Sequence, residues 1–345
     1  MQHGLHVHAV HLLNDLSGSP LVFAMELESR VKKGEHVTLY TSEGPGFLSN
    51  IPGITYKTLP YRWSPSALRT LWAFVTVQLY LFVHLVRRVK KNDVVYVNTL
   101  LPFGALLAGR VNGAQVIQHL HEVSVRPALL MKLLCWVSEH CCNEQIFVSD
   151  YLRGCFSFRK PSQRVVHNRL PEAFEAQAKQ CDGSQRDPQR YKVLMLCSLK
   201  AYKGVYVMAE LARRLPQVEF NLLLNASDDE RTRFVHEVKP GSNLILHPAT
   251  RNTHPFYAQA DMVVNLSLPD QWIETFGMTL LEARAYGLPV IAPPVGGPAE
   301  IVIPGVHGWL ISAYDTEQLE HVIAAQAEAK AAKAQAAISR HFSIQ

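Results

Sequence analysis

Short apolar runs bounded by turn residues alternate along this chain with helix-length amphipathic runs, and the alternation restarts near the middle. A parallel strand is buried on both faces and reads as a continuous apolar run, and its link to the next strand needs a crossover that is usually a helix. The pattern is that of parallel α/β sheets. Strands are expected at 5–12, 36–41, 94–98, 114–119 and 145–149, then at 191–197, 219–224, 243–247, 262–266 and 289–292. The fold class that follows is α/β with two Rossmann-like, doubly wound domains, one over 1–170 and one over 191–345, and 345 residues suffice for both. The stretch 171–190 is polar and lacks a strand pattern, so it is expected as the interdomain linker. Residues 317–337, rich in Ala, Lys and Gln, should be helical. Ligands of open α/β sheets bind beyond the C-terminal strand ends, so the domains are expected to face each other across a cleft.

Hydrophobic residues at 48% and charged residues at 18% exclude general disorder. A net charge of +5 suits an anionic ligand or membrane surface. Without an Arg-rich arm, an aromatic RNA-binding signature or Cys/His finger spacing, nucleic acid is not an expected partner. The cysteines (Cys135, Cys141, Cys142, Cys155, Cys181, Cys197) form no C-x-x-C pair and read as thiols of a reducing compartment. The N-terminus enters a strand-like run without a charged leader, so a cytoplasmic protein is expected.

Residues 70–86 contain no formally charged side chain, and Arg87, Arg88, Lys90 and Lys91 follow directly. A strand of the same domain comes next, which argues against a span. Two readings stand: a buried core helix, or a helix over 66–91 lying in a membrane interface with its basic end on anionic lipid. Trp63, Trp72 and Tyr80 suit the second.

Chemistry concentrates in Glu274-Thr275-Phe276-Gly277-Met278 and the run on to Glu282, followed by Gly287, Pro289 and the Gly296-Gly297 turn. The spacing predicts a helix opening near Gly277, and backbone N–H groups at a helix start bind phosphate because they lack intrahelical partners and sit at the positive end of the dipole. Glu282 then lies roughly 7 Å along the axis from that end. Two carboxylates flanking such an end suit a nucleoside diphosphate sugar, which carries carbohydrate on both sides of its diphosphate. Glu282 is read as the ribose partner and Glu274 as the partner of the transferred sugar.

The run resembles the Glu-x7-Glu signature of retaining nucleotide-sugar glycosyltransferases of the GT-B fold, most closely glycosyltransferase family 4. The resemblance implies a donor diphosphate resting on Thr275, Phe276, Gly277 and Met278. Lys200 and Lys203, before Gly204, are similar to a basic element that neutralises the leaving diphosphate, although Ser198 stands where the family has arginine. Gly18 and Ser19, in the turn after the first strand, resemble the family's first loop and take a donor-side role. His121, at the end of the fourth expected strand, is similar to the histidine that contacts the donor sugar, with Glu122 as acceptor-side base. Asn168 resembles an element closing the first domain, and 248–257 should present the loop facing the nucleobase.

No Asp-x-Asp occurs, and Asp228-Asp229-Glu230 reads as a solvated helix start, so no metal or other cofactor is expected. The resemblance implies transfer from a nucleotide sugar to a lipid-linked or oligosaccharide acceptor, a glycan intermediate of bacterial surface polysaccharide such as lipopolysaccharide or capsule. A catalytically silent GT-B partner subunit and a nucleotide-sugar epimerase of the same fold remain as alternatives.

Overall fold

The computed structural model describes residues 5–62, 64 and 66–342, with side chains throughout except at 67 and 334–342. The chain divides into two compact units, Met1–Asn168 and Arg169–Gln345. In the first, the elements run β1 His6–Val10, α1 Gly18–Lys32, β2 His36–Thr41, β3 Ile54–Thr58, α2 Ala67–Val86, β4 Val94–Asn98, α3 Phe103–Val111, β5 Gln115–Leu120, α4 Ala128–Cys141, β6 Glu144–Phe147, α5 Asp150–Gly154 and β7 Ser162–Val165. The seven strands are ordered β3-β2-β1-β4-β5-β6-β7, all parallel. α1 covers one face through Phe23, Ala24 and Leu27. On the other face, α2, α3 and α4 share a core through Val77, Leu81, Leu106 and Val137.

The second unit runs α6 Glu172–Lys179, β8 Tyr191–Ser198, α7 Val205–Arg214, β9 Val218–Asn225, α8 Asp228–Val238, β10 Leu244–Pro248, α9 His254–Gln259, β11 Met262–Val264, α10 Met278–Ala285, β12 Val290–Ala292, α11 Pro298–Ile301, β13 Gly308–Leu310 and α12 Thr316–Phe342. Its six strands are ordered β10-β9-β8-β11-β12-β13, again parallel. The strands are carried by apolar runs buried on both faces, such as Val193, Met195, Phe220 and Leu222. All ten expected strands are present.

Three further strands were not expected, and each is the edge of a sheet or close to trivial in length. In β3 only Ile54 is even half-buried, β7 is exposed except at Val165, and β13 has three residues. An edge strand has solvent on its flank and often on its faces, so it lacks the apolar run that marks a central one. The expected linker 171–190 is corrected: it begins with α6 and belongs to the second unit, whose boundary falls after Asn168 rather than after 170. Phe174 on α6 packs against His254, Tyr257 and Tyr286, and this anchorage makes the stretch part of a fold. α1 starts at Gly18, so Gly18 and Ser19, expected in the turn after the first strand, lie in the first turn of this helix.

Helix α2 satisfies neither reading of 66–91 alone. Phe74, Val77, Leu81 and Leu85 are core, whereas Leu68, Leu71, Trp72, Val75 and Leu79 are exposed. Tyr80 is half-buried and stacks on His84, and Trp63 lies outside the described residues.

Candidate functional site

In the second unit, β8 ends at Ser198 and a 3₁₀ turn, Ala201–Lys203, leads into α7. Gly204 caps that helix at φ 80°, and a Cβ there would fall 2.1 Å from the Leu266 carbonyl oxygen. Only glycine lets the turn lie this close to the chain leaving β11. The Tyr202 carbonyl accepts from the Leu268 N–H (2.8 Å), and the Tyr202 ring stacks on Trp272 at 5.3 Å. Lys203 is thereby aimed: its Nζ donates to Glu274 Oε2 at 2.8 Å and stands 5.5 Å above the Trp272 ring. Burial opposes ionisation of Glu274, but Lys203 and a hydrogen bond from Asn265 outweigh it and hold the carboxyl below its usual range.

The segment carrying Glu274 is seated on the glycine turn. Gly297 N–H donates to the Glu274 carbonyl (3.0 Å), and a Cβ on Gly297 would meet the Thr275 carbonyl oxygen at 2.2 Å. Helix α10 then opens at Gly277, as expected, with no side-chain cap on its first turn. Such an end presents amide donors and positive potential to an anion. Thr275 and Met278 are half-buried at this end, and the Phe276 side chain is core, so Phe276 can serve a ligand only through its backbone.

Glu282 is buried four residues into α10 and accepts from the Tyr257 hydroxyl at 2.5 Å. Burial pushes its carboxyl up to about 7 despite that hydrogen bond. Tyr257 stacks on Tyr286 at 5.5 Å. Lys200 is exposed, and its charge bears on Glu230 of α8 rather than on the Lys203–Glu274 pair. The segment 248–257 resolves into the end of β10, a short connection and the start of α9.

In the first unit the corresponding edge gathers a largely uncharged group. His121 Nε2 donates to Asn98 Oδ1 (2.8 Å), and Asn98 Nδ2 donates to His11 Nδ1 (3.1 Å) and to the Ser19 carbonyl (3.2 Å). Ser19 and His121 are thus joined through one asparagine, while Gly18 is exposed beside them at the start of α1. Burial lowers His11 to about 4 and His121 well below the imidazole range. His119 packs 4.5 Å from the His121 ring, and burial lowers it to about 3. Glu122 accepts from the backbone N–H groups of Leu100 (3.3 Å) and His121 (3.3 Å) and from the Thr99 side chain, yet burial still pushes it up to about 7.

Asn98, Thr99, His11 and Asn265 hold these groups and were not foreseen from the sequence, and Tyr257, foreseen only as the end of a loop facing the nucleobase, holds Glu282. Thr99 has φ 75°, a left-handed conformation rare for a β-branched residue and costing about 1–3 kcal/mol, of the kind that gathers at functional sites. A signal existed for the two asparagines: each follows an apolar strand run at the C-terminal edge, where ligands of parallel sheets bind. His6, His8 and Asp93 also lie at metal-ligand spacing, but at the opposite edge of the first sheet, with His8 hydrogen-bonded to Tyr40 and Asp93.

Two parallel-sheet Rossmann-like units of this kind are the architecture of the GT-B glycosyltransferases. Residues 177–340 match the model of the family of glycosyl transferases group 1, and Lys203, Glu274 and Glu282 lie within the matched stretch. The chain is 32% identical over 102 residues to D-inositol 3-phosphate glycosyltransferase 1 of Catenulispora acidiphila, covering 30% of this chain and 24% of that protein. It is 47% identical over 45 residues to sucrose synthase 2 of Hordeum vulgare, covering 13% of this chain and 6% of that one. The matched stretches thus span a quarter or less of these two relatives' length. Among solved structures, Anabaena Alr3699/HepE in complex with UDP-glucose aligns over 98% of this chain and 95% of its own, with TM-score 0.70 and 17% identity. Sucrose-phosphate synthase from Thermosynechococcus elongatus aligns over 99% and 100%, with TM-score 0.73 and 18% identity.

Proposed function

We propose that this chain is a retaining glycosyltransferase of the family 4 type that moves a sugar from a nucleoside diphosphate sugar to a glycan acceptor, without a metal. The observation that carries the proposal is the Lys203–Glu274 pair, set by the Gly297 turn beside the uncapped start of α10. As the glycosidic bond breaks, negative charge grows on the leaving diphosphate. Amide donors and a lysine already in place stabilise that charge more than they stabilise the ground state. Glu274 meets hydroxyls of the transferred sugar, and Glu282, shared with Tyr257, meets the ribose. A relative whose structure contains UDP-glucose makes a uridine diphosphate sugar the first donor to try.

On the acceptor side, Glu122 is poised near neutrality to take the proton of an attacking hydroxyl. Asn98 holds His121 for the donor sugar. The acceptor in this reading is a lipid-linked glycan of bacterial surface polysaccharide synthesis. The protein works in the cytoplasm against the membrane, with 66–91 as a membrane contact, and the exposed apolar side of α2 supports this reading.

Thermal shift against a panel of nucleotide sugars tests the donor, because a ligand that binds only the folded state raises its apparent stability. Donor hydrolysis or transfer that falls by about 10²–10³ in both Glu274→Ala and Lys203→Ala is the expected outcome. A folded protein that neither binds nor turns over any nucleotide sugar would return the chain to the silent-subunit alternative.

A further inference from the structure

We infer that the first unit docks on an anionic bilayer through a two-helix face, in which α4 is as much a membrane contact as α2. The inference rests on the membrane reading of α2 and extends it to residues that the apolar run in the sequence does not contain. On α2, Leu68, Trp72 and Leu79 are 73, 70 and 63% exposed along one side. On α4, Leu129, Leu133 and Trp136 repeat at i, i+4 and i+7 and are 78, 45 and 58% exposed. The opposite sides of both helices are core, through Leu81 and Leu85 on α2 and Leu134 and Val137 on α4. α3 packs against both helices. It meets α2 closely at Gly104, whose N–H donates to Gln78 Oε1 at 2.9 Å. The two outward stripes therefore flank α3 on one layer of the unit.

Charge decides what covers them. Residues 61–141, through the end of α4, contain nine Lys and Arg but only three acids, Asp93, Glu122 and Glu139, and the rest of the chain holds 25 basic and 26 acidic residues. The protein's whole positive excess therefore sits in the stretch that bears the apolar stripes. Asp93 is buried and bonded by His8 and the Lys90 N–H, Glu122 is taken up by backbone donors, and half-buried Glu139 accepts from the Arg159 and Lys160 N–H groups. Arg69, Arg126 and Lys132 are exposed near the N-terminal ends of the two helices, and Arg87, Arg88 and Lys90 just after α2. A second copy of the chain, docked face to face, would set like charges against one another; phosphate headgroups complement them.

The placement also serves the reaction. The connection from β5 to α4, residues 121–127, carries His121 and Glu122 and leads within a few residues to exposed Leu129. A bilayer lying against α4 is thus held close to the acceptor-side group, where a lipid-linked acceptor has least far to travel.

The experiment is co-sedimentation of the 345-residue chain with phosphatidylcholine vesicles with and without phosphatidylglycerol, at low and high salt. Binding is expected only with phosphatidylglycerol and should weaken with salt. Each basic residue removed should lower partitioning about fivefold. Leu133→Ser with Trp136→Ser should lower it about tenfold or more, as should Trp72→Ser. These side chains are exposed, so the variants should keep the wild-type thermal shift with nucleotide sugar; Leu129→Ser is a milder second test on α4. Wild-type vesicle binding by both α4 variants overturns the inference, as does wild-type protein that stays in the supernatant at low salt. Loss of a concentration-dependent dimer in the same variants, without any vesicle binding, would assign the face to a second copy instead. Vesicle binding by a protein that takes no nucleotide sugar would leave the docking face standing and remove the transferase reading.

Discussion

The two units share a doubly wound architecture but handle charge at their strand ends in opposite ways. In the second, a lysine and a glutamate are paired at 2.8 Å beside a helix start, and the glutamate is held ionised. In the first, burial keeps the histidines neutral and lifts Glu122 to about 7. The difference would suit the two tasks of the proposed transfer. A leaving diphosphate needs fixed positive charge and dipoles, whereas activating a hydroxyl needs a base whose proton affinity lies near the working pH. The comparison teaches that a fold can place both environments at equivalent edges by changing only what surrounds the ionisable group.

The largest test addresses the paired side. Lys203→Ala and Glu274→Ala should each lower kcat/KM by about 10²–10³, the usual cost of removing one group aimed at developing charge. Steady-state transfer or donor hydrolysis measures it. Loss of less than about tenfold in both variants would break the assignment of fixed charge to this unit.

Next comes Glu282, which departs from its neighbour Glu274 in being protonated near neutrality. Its folded value of about 7 lies above the ordinary carboxyl value, so the folded state binds the proton more tightly than the unfolded chain. The stability this adds is complete below the ordinary value and is lost as pH rises through about 7. Glu282→Gln should remove that slope and raise stability at pH 8 by up to about 3 kcal/mol. Urea unfolding at several pH values reads it out, and a slope unchanged in the variant would show that Glu282 is not the group responsible.

A somewhat smaller effect is expected at the neutral side. His121→Ala should cost about 10²-fold in kcat. Binding of the nucleotide alone, measured by thermal shift, should be unchanged. Activity should rise with pH through about 7 as Glu122 loses its proton, and Glu122→Gln should flatten that limb. If His121→Ala instead abolishes nucleotide binding, the division of labour between the units is wrong.

How much of this was legible in the sequence follows from the same physics. Central strands announced themselves because both faces are buried, while β3 and β7, at the edges, carry polar side chains that no periodicity distinguishes from loop. Gly277, Glu274 and Glu282 form a helix start with flanking acids, a local pattern, whereas Lys203, in the turn before α7, was read from a resemblance. Asn265 and Tyr257 reach the two glutamates from other elements, so sequence showed at most their place, Asn265 after a strand run and Tyr257 at the end of the 248–257 loop, and not the partner of either. Lys200 was read beside Lys203 for a shared role, and in the structure its side chain is exposed and its charge acts on Glu230 of α8. The stripe on α2 was visible as an apolar run, but that on α4 was not, since Lys132 interrupts it and the run is short.

The smallest expected effect concerns the acids at the start of α8, which bear on whether the second unit uses a metal. Ser227 Oγ accepts from the Glu230 N–H (3.3 Å), Glu230 Oε2 accepts from the Ser227 N–H (2.9 Å), and Asp228 pairs with Arg231. These carboxylates serve the helix that carries them, as the sequence suggests for a solvated start. Ser227→Ala should therefore cost about 1 kcal/mol in urea unfolding and leave the transfer rate unchanged. Wild-type activity should likewise survive chelator. A cap variant that loses activity well beyond its loss of stability, together with chelator inhibition reversed only by Mg²⁺ or Mn²⁺, would move these acids from helix capping to metal binding. The fixed charge on the diphosphate would then come from an ion as well as from Lys203.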